Sequence, residues 1–370
     1  MKVELDKRVT ATAVEGWIAS FAAASPSRLT LDLTRAHRLE LLAETRLLAL
    51  LTMARRSGAA IDLVASQEID VASRRPKKLV DLLSETIAGV ILVQMATRAV
   101  DGSGQDRRAS LVRAQAVHAV ANDGLFGFGR EHAAPVIDIF GGPPPASMVR
   151  DDSGIEFDPL FREWVSKMNL PPLQDSLLQS LIDFAYETFD NCRRHGARDL
   201  DRNALEGVRF VLLRTVSISE KGALAAGQRL AGGPIAEYLE GLAKDLGDRE
   251  FLAELTVCDC GVGIPATLAG STEIYDGPWE AERHETLDAF TDGRTSRRGI
   301  SGVGRGLLKA LRSTDALHGL IAVRTGRTQL NRSFLQQDNP WHAEELPWAP
   351  GTSVSLLFPW RDPIPTLFKT

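Results

Sequence analysis

The chain has 370 residues, of which 44% are hydrophobic and 25% are charged, and its formal net charge is −5. This composition is typical of a globular protein, and at about 150 residues per domain the length predicts two domains. The charged residues after Met1 exclude a secretory signal peptide, and the longest apolar stretch, near residues 87–93, is too short to span a bilayer. A cytoplasmic protein without membrane contact is therefore expected.

The charge is divided unevenly along the chain. Residues 1–150 carry a net charge of +3, and the remaining residues carry −8. A nucleic-acid-binding domain is usually far more basic than this. The basic run at residues 74–78 could contact phosphates or form the solvated entry of a helix, and the second interpretation is favoured. Nucleic acid is therefore a weakly supported partner.

The first part of the chain alternates predicted strands with predicted helices. Hydrophobic periodicity predicts strands at residues 29–33, 60–65 and 136–140, and helices at residues 40–56 and 77–98. Strands separated by helices of this length predict a small α/β domain. Glycines and prolines at residues 141–145 then predict a connector. The predicted organisation is an N-terminal α/β domain at residues 1–145, a linker at 146–171 and a second domain at 172–370.

The strand–helix–strand unit over residues 31–64 resembles the centre of STAS domains. The resemblance rests on three short segments, Leu31-Asp32-Leu33-Thr34, Arg56-Ser57-Gly58 and Ile61-Asp62-Leu63-Val64. STAS domains that act as phosphorylation switches have a serine or threonine just before the helix. This chain has residues 35–38 there, and the nearest hydroxyl is that of Thr34. The resemblance therefore implies a STAS-like fold and does not imply a phosphorylation switch.

The second domain is also predicted to combine helices and strands. Pro171 and Pro172 open a long helix that runs to about residue 194, because proline is favoured in a first helical turn. Further helices are predicted at residues 235–246 and 303–311, and strands at residues 208–216, 254–258, 320–324 and 353–358. These elements predict a mixed α/β layer.

The long helix carries a polar stripe. Glu187, Asn191 and His195 follow one another at spacings of four residues, so they lie on one face of the helix. A carboxylate, an amide and an imidazole in a row suit the binding of a nucleotide triphosphate through magnesium. The alternative is an ordinary exposed helix edge.

A second segment joins a strand end to two glycines. Asp259 ends a predicted strand, and Gly261 and Gly263 permit close backbone approach to a ligand. A carboxylate at this place can accept a hydrogen bond from an exocyclic amine such as that of adenine. The alternative is a strand exit with a capping aspartate.

A third segment has glycines at alternate positions before a helix. Gly302, Gly304 and Gly306 leave the backbone N–H groups of the helix start accessible, and this arrangement favours polyphosphate. The segment is not a P-loop, because the G-x-x-x-x-G-K-[ST] pattern does not occur. The alternative is a flexible loop.

In this order, the three segments resemble the motifs of the GHKL ATPase superfamily, which includes histidine kinases, type II topoisomerases, mismatch-repair ATPases and heat-shock chaperones. The resemblance covers residues 172–359. The pair Gly351-Thr352 and a lid-like segment at residues 290–297 also match. The resemblance implies a two-layer α/β sandwich of the Bergerat type, with a mixed sheet.

The resemblance also implies a role for each matched position. Asn191 would coordinate Mg²⁺, Glu187 would orient or deprotonate the attacking water as the catalytic residue, and His195 would lie near the phosphates. Asp259 would bind the adenine amine, with Thr352 supporting it through a water. The implied set of residues that bind ATP and Mg²⁺ is Asn191, His195, Asp259, Gly261, Gly263, Thr295, Ser296, Arg297, Gly302, Gly304, Arg305, Gly306, Leu307 and Thr352.

A mobile lid is implied for residues 266–301. Arg297, Arg298 and Arg305 are candidate phosphate contacts, because a guanidinium binds phosphate bidentately. Solvent-facing charge on the lid is an equal alternative for these arginines.

Three cysteines, Cys192, Cys258 and Cys260, form no even disulfide framework, which favours a reducing compartment. Alternation along a strand places the thiols of Cys258 and Cys260 on one side, opposite to Asp259. No nearby pair of ligands completes a zinc site, so buried thiols are expected.

The implied function is Mg²⁺-dependent ATP hydrolysis, in which lid closure changes the contacts of the N-terminal domain or of a partner protein. Two alternatives stay open. One is a protein kinase or phospho-switch, similar to histidine kinases or to the serine kinases that act as anti-sigma factors, and the other is an ATP sensor without hydrolysis. A protein partner or a homodimer and a bacterial regulatory or defence role are expected.

Overall fold

The computed structural model contains two four-stranded sheets and the helices that pack on them. It describes residues 1–6, 8–35, 38–65, 87–112, 157–166, 170–196, 198–203, 205, 209–218, 233–244, 250–291, 306–335 and 340–361. One sheet is parallel and the other is antiparallel, so the predicted α/β class is confirmed. Over these residues, no helix is both long enough and apolar enough to cross a membrane.

The N-terminal part forms the parallel sheet. Its spatial order is β1-β3-β5-β6, with β1 (Lys2–Glu4), β3 (Arg28–Asp32), β5 (Ala60–Val64) and β6 (Arg98–Val100). A separate parallel pair consists of β2 (Arg8–Val9) and β4 (Arg38–Leu39). Strand β3 confirms the predicted strand, and its residues Leu29 and Leu31 alternate with polar residues and are fully buried. The predicted strand at residues 136–140 lies outside the described residues.

Among the residues that the structure describes, three helices accompany this sheet: α1 (Ala11–Ala24), α2 (Ala43–Arg56) and α3 (Ile87–Met95). Helix α1 has no counterpart in the sequence prediction. Its N-cap is Thr10, whose hydroxyl accepts a hydrogen bond from the N–H of Ala13 at 3.1 Å. Helix α3 is the later part of the helix predicted at residues 77–98.

The C-terminal part forms the antiparallel sheet. Its spatial order is β7-β8-β10-β9, with β7 (Phe210–Ile218), β8 (Glu250–Asp259), β9 (Leu320–Ser333) and β10 (His342–Pro359). All neighbouring pairs among these strands are antiparallel, whereas the sequence predicts a mixed sheet. The prediction is wrong for these strands because β8 and β9, which run in the same direction, are not neighbours. Strand β10 lies between them and pairs with both in the antiparallel sense.

Helices of the C-terminal part cover one face of this sheet. They are α4 (Phe157–Ser166), α5 (Asp175–His195), α7 (Ile264–Ala269), α8 (Trp279–Thr291) and α9 (Gly306–Ala316). Leu181 and Phe184 of α5 are fully buried in one apolar cluster with Leu255 of β8 and Leu356 of β10. Helix α5 confirms the predicted long helix, although it begins at Asp175 rather than directly after the two prolines.

The opposite face of the antiparallel sheet is covered by α1, α2 and α6 (Pro234–Ala243). Phe210 and Leu212 of β7 belong to the same apolar cluster as Leu47 and Leu51 of α2. Helix α2 also contacts β5 of the parallel sheet, so it lies between the two sheets. This position explains why α2 is buried almost all round, including Glu44 and other polar residues.

Two clusters of buried charges lie in this contact. The guanidinium groups of Arg46 and Arg324 both pair with Glu15, at 2.9 and 3.0 Å. Arg214 pairs with two carboxylates, those of Glu44 and Glu254, each at 2.7 Å. Each cluster joins an N-terminal helix to a strand of the C-terminal sheet. The predicted domain bounds stay a prediction, because residues 113–156 lie outside the described part.

Candidate functional site

Asp259 lies at the end of β8, opposite Thr352 of β10 in the register of the sheet. Its Oδ1 accepts hydrogen bonds from the N–H of Gly261 at 2.7 Å and from the N–H of Thr352 at 3.2 Å. Gly351 has a positive φ of 88°, and a Cβ at this position would collide with the carbonyl oxygen of Asp259. Glycine at position 351 therefore lets β10 approach the strand end that carries the carboxylate.

The Asp259 carboxyl group is buried. Its residue is 9% exposed, and burial raises the pKa of Asp259 from 3.8 to about 6, although the N–H groups of Gly261 and Thr352 act in the opposite direction. The two hydrogen bonds that the described residues donate to this carboxylate both go to Oδ1, so Oδ2 is the oxygen that would accept from a further donor. This property fits the predicted recognition of an amine.

The C-terminal end of α5 lies against Asp259. Helix α5 ends at His195, and a Cβ on the following Gly196 would collide with the carboxyl group of Asp259. A Cβ on Gly261 would be 2.7 Å from the Cα of Gly196. His195 is half-buried beside the turn formed by residues 259–263, which we call the aspartate turn. Gly196 is a site residue whose role the motif did not state.

One to two turns earlier, α5 faces the beginning of α9. A Cβ on Gly306 would be 2.8 Å from Oε2 of Glu187 and 3.5 Å from Nδ2 of Asn191. The structure therefore brings together three predicted residues from two separate motifs. Leu307, the next predicted residue, is half-buried and packs against the C-terminal apolar cluster.

Lys309 is a site residue that the sequence prediction missed. Its ammonium nitrogen lies 3.4 Å from Oε1 of Glu187 and 3.1 Å from Oδ1 of Asp183. Lys309 lies three residues after Gly306, so both residues occupy one face of α9. That spacing, combined with the predicted convergence of the motifs, could have identified it.

Gly263 brings the chain after Asp259 close to β9. It has a φ of 92° and precedes α7, and a Cβ there would be 2.9 Å from Oγ1 of Thr325. Oγ1 of Thr325 accepts the N–H of Ile264 at 3.0 Å and lies 3.1 Å from Oγ1 of Thr352. Thr325 is a second residue that the sequence prediction missed. It lies on β9 opposite Thr352 of β10, and this pairing is known only from the structure.

The first part of the predicted lid is helical. Residues 264–291 form α7, a 3-10 helix (Thr272–Tyr275) and α8. The fully buried Glu282 of α8 accepts the N–H of Arg327 at 2.8 Å, and Trp279 donates its indole N–H to Thr328 at 3.1 Å. These contacts fasten α8 to β9. The rest of the lid prediction, at residues 292–301, lies outside the described residues.

Several predicted site residues cannot be placed. Outside the described part of the chain lie Thr295, Ser296, Arg297, Arg298, Gly302, Gly304 and Arg305. Their roles stay predictions.

All three cysteines are buried, and their thiols are not joined in a disulfide. Cys258 and Cys260 belong to the apolar cluster on the α2 side of the sheet, whereas the Asp259 carboxyl group meets Gly196 on the α5 side. The predicted opposite orientation of the thiols and Asp259 is therefore confirmed. Burial raises the pKa of the Cys258 thiol. No group of three or more His, Cys, Asp and Glu residues could hold a metal ion within the described ranges.

Comparison of the chain with models of known protein families and with curated proteins finds no match.

Proposed function

We propose that the C-terminal part of the chain binds Mg-ATP in a Bergerat-type fold and hydrolyses it. The observation that carries this proposal is the convergence of four sequence-distant motifs along α5. Asp259 and Thr352 lie at its C-terminal end, and Gly306 lies at Glu187. Gly196 lies nine positions after Glu187, which corresponds to about 14 Å along a helix. This separation is comparable to the length of an extended nucleoside triphosphate.

The adenine end of the proposed site is Asp259. Both N–H groups that orient its carboxylate bind Oδ1, so Oδ2 is the oxygen that would accept a hydrogen bond from the exocyclic amine. The acceptor is charged only above a pH of about 6, because burial raises its pKa to that value. A hydrogen bond to a charged acceptor in a buried site is stronger than one between neutral groups.

The phosphate end of the proposed site is the junction of α5 and α9. Mg²⁺ prefers oxygen ligands and usually takes only one or two from the protein, the others coming from phosphates and water. The side-chain oxygen of Asn191 fits this requirement, and the ion would neutralise phosphate charge when bound. Gly306 allows the backbone to approach the phosphates at a place where any side chain would meet Glu187.

Glu187 is the proposed general base. Its carboxylate is half-buried, faces the start of α9 and is held by the ammonium group of Lys309 at 3.4 Å. It would orient the attacking water and accept its proton, a role that typically contributes about 10²- to 10⁴-fold to a rate. Lys309 keeps the carboxylate in one position before the water binds.

The test compares wild type with Glu187→Gln, which keeps the size of the side chain but removes the base. We expect wild type to release phosphate from Mg-ATP, and we expect Glu187→Gln to lose at least about 100-fold in release rate while its Kd for Mg-ATP changes little. Glu240→Ala, a change at an exposed glutamate on α6, is the matched control and should behave as wild type.

Mass measurement of the protein after incubation with Mg-ATP separates the outcomes. A wild-type protein that does not bind Mg-ATP would overturn the proposal. A mass increase by one phosphoryl group would favour a kinase or phospho-switch, and tight binding without turnover would favour a sensor. Undiminished release by Glu187→Gln would remove Glu187 from the reaction.

A further inference from the structure

The end of α2 contacts the aspartate turn from the N-terminal side. Arg56 is the last residue of α2, and its guanidinium group donates hydrogen bonds to the carbonyl oxygens of Cys260 and Gly261, the latter at 3.4 Å. One turn earlier, Oγ1 of Thr52 lies 3.1 Å from Sγ of Cys260. A helix that is about 200 residues away in sequence therefore holds two successive residues of the turn.

Both backbone polar groups of Gly261 form hydrogen bonds. Its N–H binds Oδ1 of Asp259 at 2.7 Å, and its carbonyl oxygen accepts the N–H of Gly351 at 3.0 Å together with the Arg56 guanidinium. The N–H that orients the carboxylate and the carbonyl that binds Arg56 thus belong to one residue. A shift of Gly261 would change the direction of the Asp259 carboxyl group.

The contacts of Arg56 differ from those of its neighbour. Arg55 is also exposed, but its guanidinium group lies 3.8 Å from Sδ of Met95 on α3, within the N-terminal part. The two adjacent arginines therefore have the same charge and both are exposed, but of the contacts between described residues only those of Arg56 reach the proposed nucleotide site. This pair provides a matched comparison within one helix.

We propose that Arg56 is a positioning residue of the nucleotide site, through which the N-terminal part fixes the aspartate turn in its binding conformation. This inference rests on the proposed function. A second consequence follows from thermodynamic linkage: if the docked α2 favours nucleotide binding, bound nucleotide stabilises the docked α2 to the same extent. The N-terminal part then acts on ATP affinity through one guanidinium group.

The first experiment measures the Kd for Mg-ATP and the thermal midpoint of wild type, Arg56→Ala, Arg56→Lys and Arg55→Ala. A hydrogen bond to a charged group contributes enough for about a tenfold change in an equilibrium constant. We expect Arg56→Ala to raise Kd about tenfold, Arg56→Lys to lie between it and wild type, and Arg55→Ala to match wild type. The lysine retains one donor group that can reach a carbonyl, which explains the intermediate value.

A merely structural role would lower the thermal midpoint of Arg56→Ala and leave its Kd within twofold of wild type, and that result would overturn the inference. If wild type does not bind Mg-ATP, the proposed function fails and the inference fails with it. If wild type binds and the Arg56 variants bind equally well, only the inference fails.

The second experiment uses wild type alone, so it does not depend on a variant that folds. Hydrogen–deuterium exchange is measured over the last two turns of α2 with and without Mg-ATP, with α3 as the internal reference. We expect slower exchange at the end of α2 and a smaller change in α3. Equal change in both helices, or no change in α2, would refute the coupling.

Discussion

Replacement of Asp259 by asparagine should stabilise the protein and weaken nucleotide binding at the same time. Asparagine has nearly the size of aspartate, and its side-chain oxygen can still accept the N–H groups of Gly261 and Thr352, which lie 2.7 and 3.2 Å from Oδ1. The replaced oxygen is then Oδ2, the one that would accept from adenine. The change removes the buried charge, and it places the side-chain NH₂ group of asparagine, a donor, against the exocyclic amine of adenine, which is also a donor.

The gain in stability depends on pH. Burial raises the pKa of Asp259 from 3.8 to about 6 in the native state. The native state therefore binds the proton more tightly than the unfolded chain, so this group's favourable contribution is complete below pH 3.8 and is lost as the pH rises to about 6. A shift of this size corresponds to about 3 kcal/mol, at about 1.4 kcal/mol per unit. Because asparagine does not ionise, Asp259→Asn should exceed wild type by up to about 3 kcal/mol at pH 8 and by less at pH 5.

The loss of binding follows from the same atom. A hydrogen bond to a charged group contributes about 1.5–3 kcal/mol, so the Kd for Mg-ATP should rise about ten- to hundredfold in Asp259→Asn. Calorimetric titration gives the Kd, and urea denaturation at pH 5 and pH 8 gives the free energy of unfolding. Asp276→Asn, at an exposed aspartate after the 3-10 helix, is the control and should change neither quantity.

Two results would refute this reasoning. If Asp259→Asn is less stable than wild type at pH 8, the carboxylate is not the destabilising buried charge that its raised pKa indicates. If the variant is more stable but binds Mg-ATP as wild type does, Asp259 does not bind the nucleotide and the adenine end of the proposed site is wrong.

Two further changes test the phosphate end and the contact between the parts. Gly306→Ala places a Cβ 2.8 Å from Oε2 of Glu187, so we expect the rate of phosphate release to fall at least about tenfold with little change in thermal midpoint; an unchanged rate would contradict the proposed geometry. Arg214→Met leaves the fully buried Glu254 without its guanidinium partner, and urea denaturation should show a loss of about 3–5 kcal/mol, whereas a loss below about 1 kcal/mol would show that the ion pair is dispensable.

The parts of the site that lie within one element were predictable from sequence. The stripe of Glu187, Asn191 and His195 depends only on helical periodicity, and α5 carries all three residues. Asp259 is the last residue of β8, because a run of apolar and β-branched residues ends there before two glycines. The sequence pattern of a single helix or strand is sufficient to place these residues, because their positions depend only on the element that carries them.

The contact between the two parts was not predictable, because polar residues that are typical of solvated faces form part of it. Glu254 and Thr256 alternate with Leu255 and Val257 along β8, a pattern that indicates one face in water. Both polar residues are fully buried in the structure because the N-terminal helices cover that face. Polar residues also explain why the strand predicted at residues 320–324 is shorter than β9. The observed strand continues to Ser333, and most side chains in this continuation are polar.

The apolar cluster that α2 forms with β7 restricts how the N-terminal part can respond to a nucleotide. Undocking α2 from the antiparallel sheet would expose leucines of α2 together with Phe210 and Leu212, at about 25 cal/mol for each Å² of apolar surface. It would also break the contacts of Arg214, which joins Glu44 of α2 to Glu254 of β8. A small movement of the turn at Gly261 costs far less, because it changes only a few hydrogen bonds. Communication between the parts is therefore expected to act through the aspartate turn while α2 stays docked.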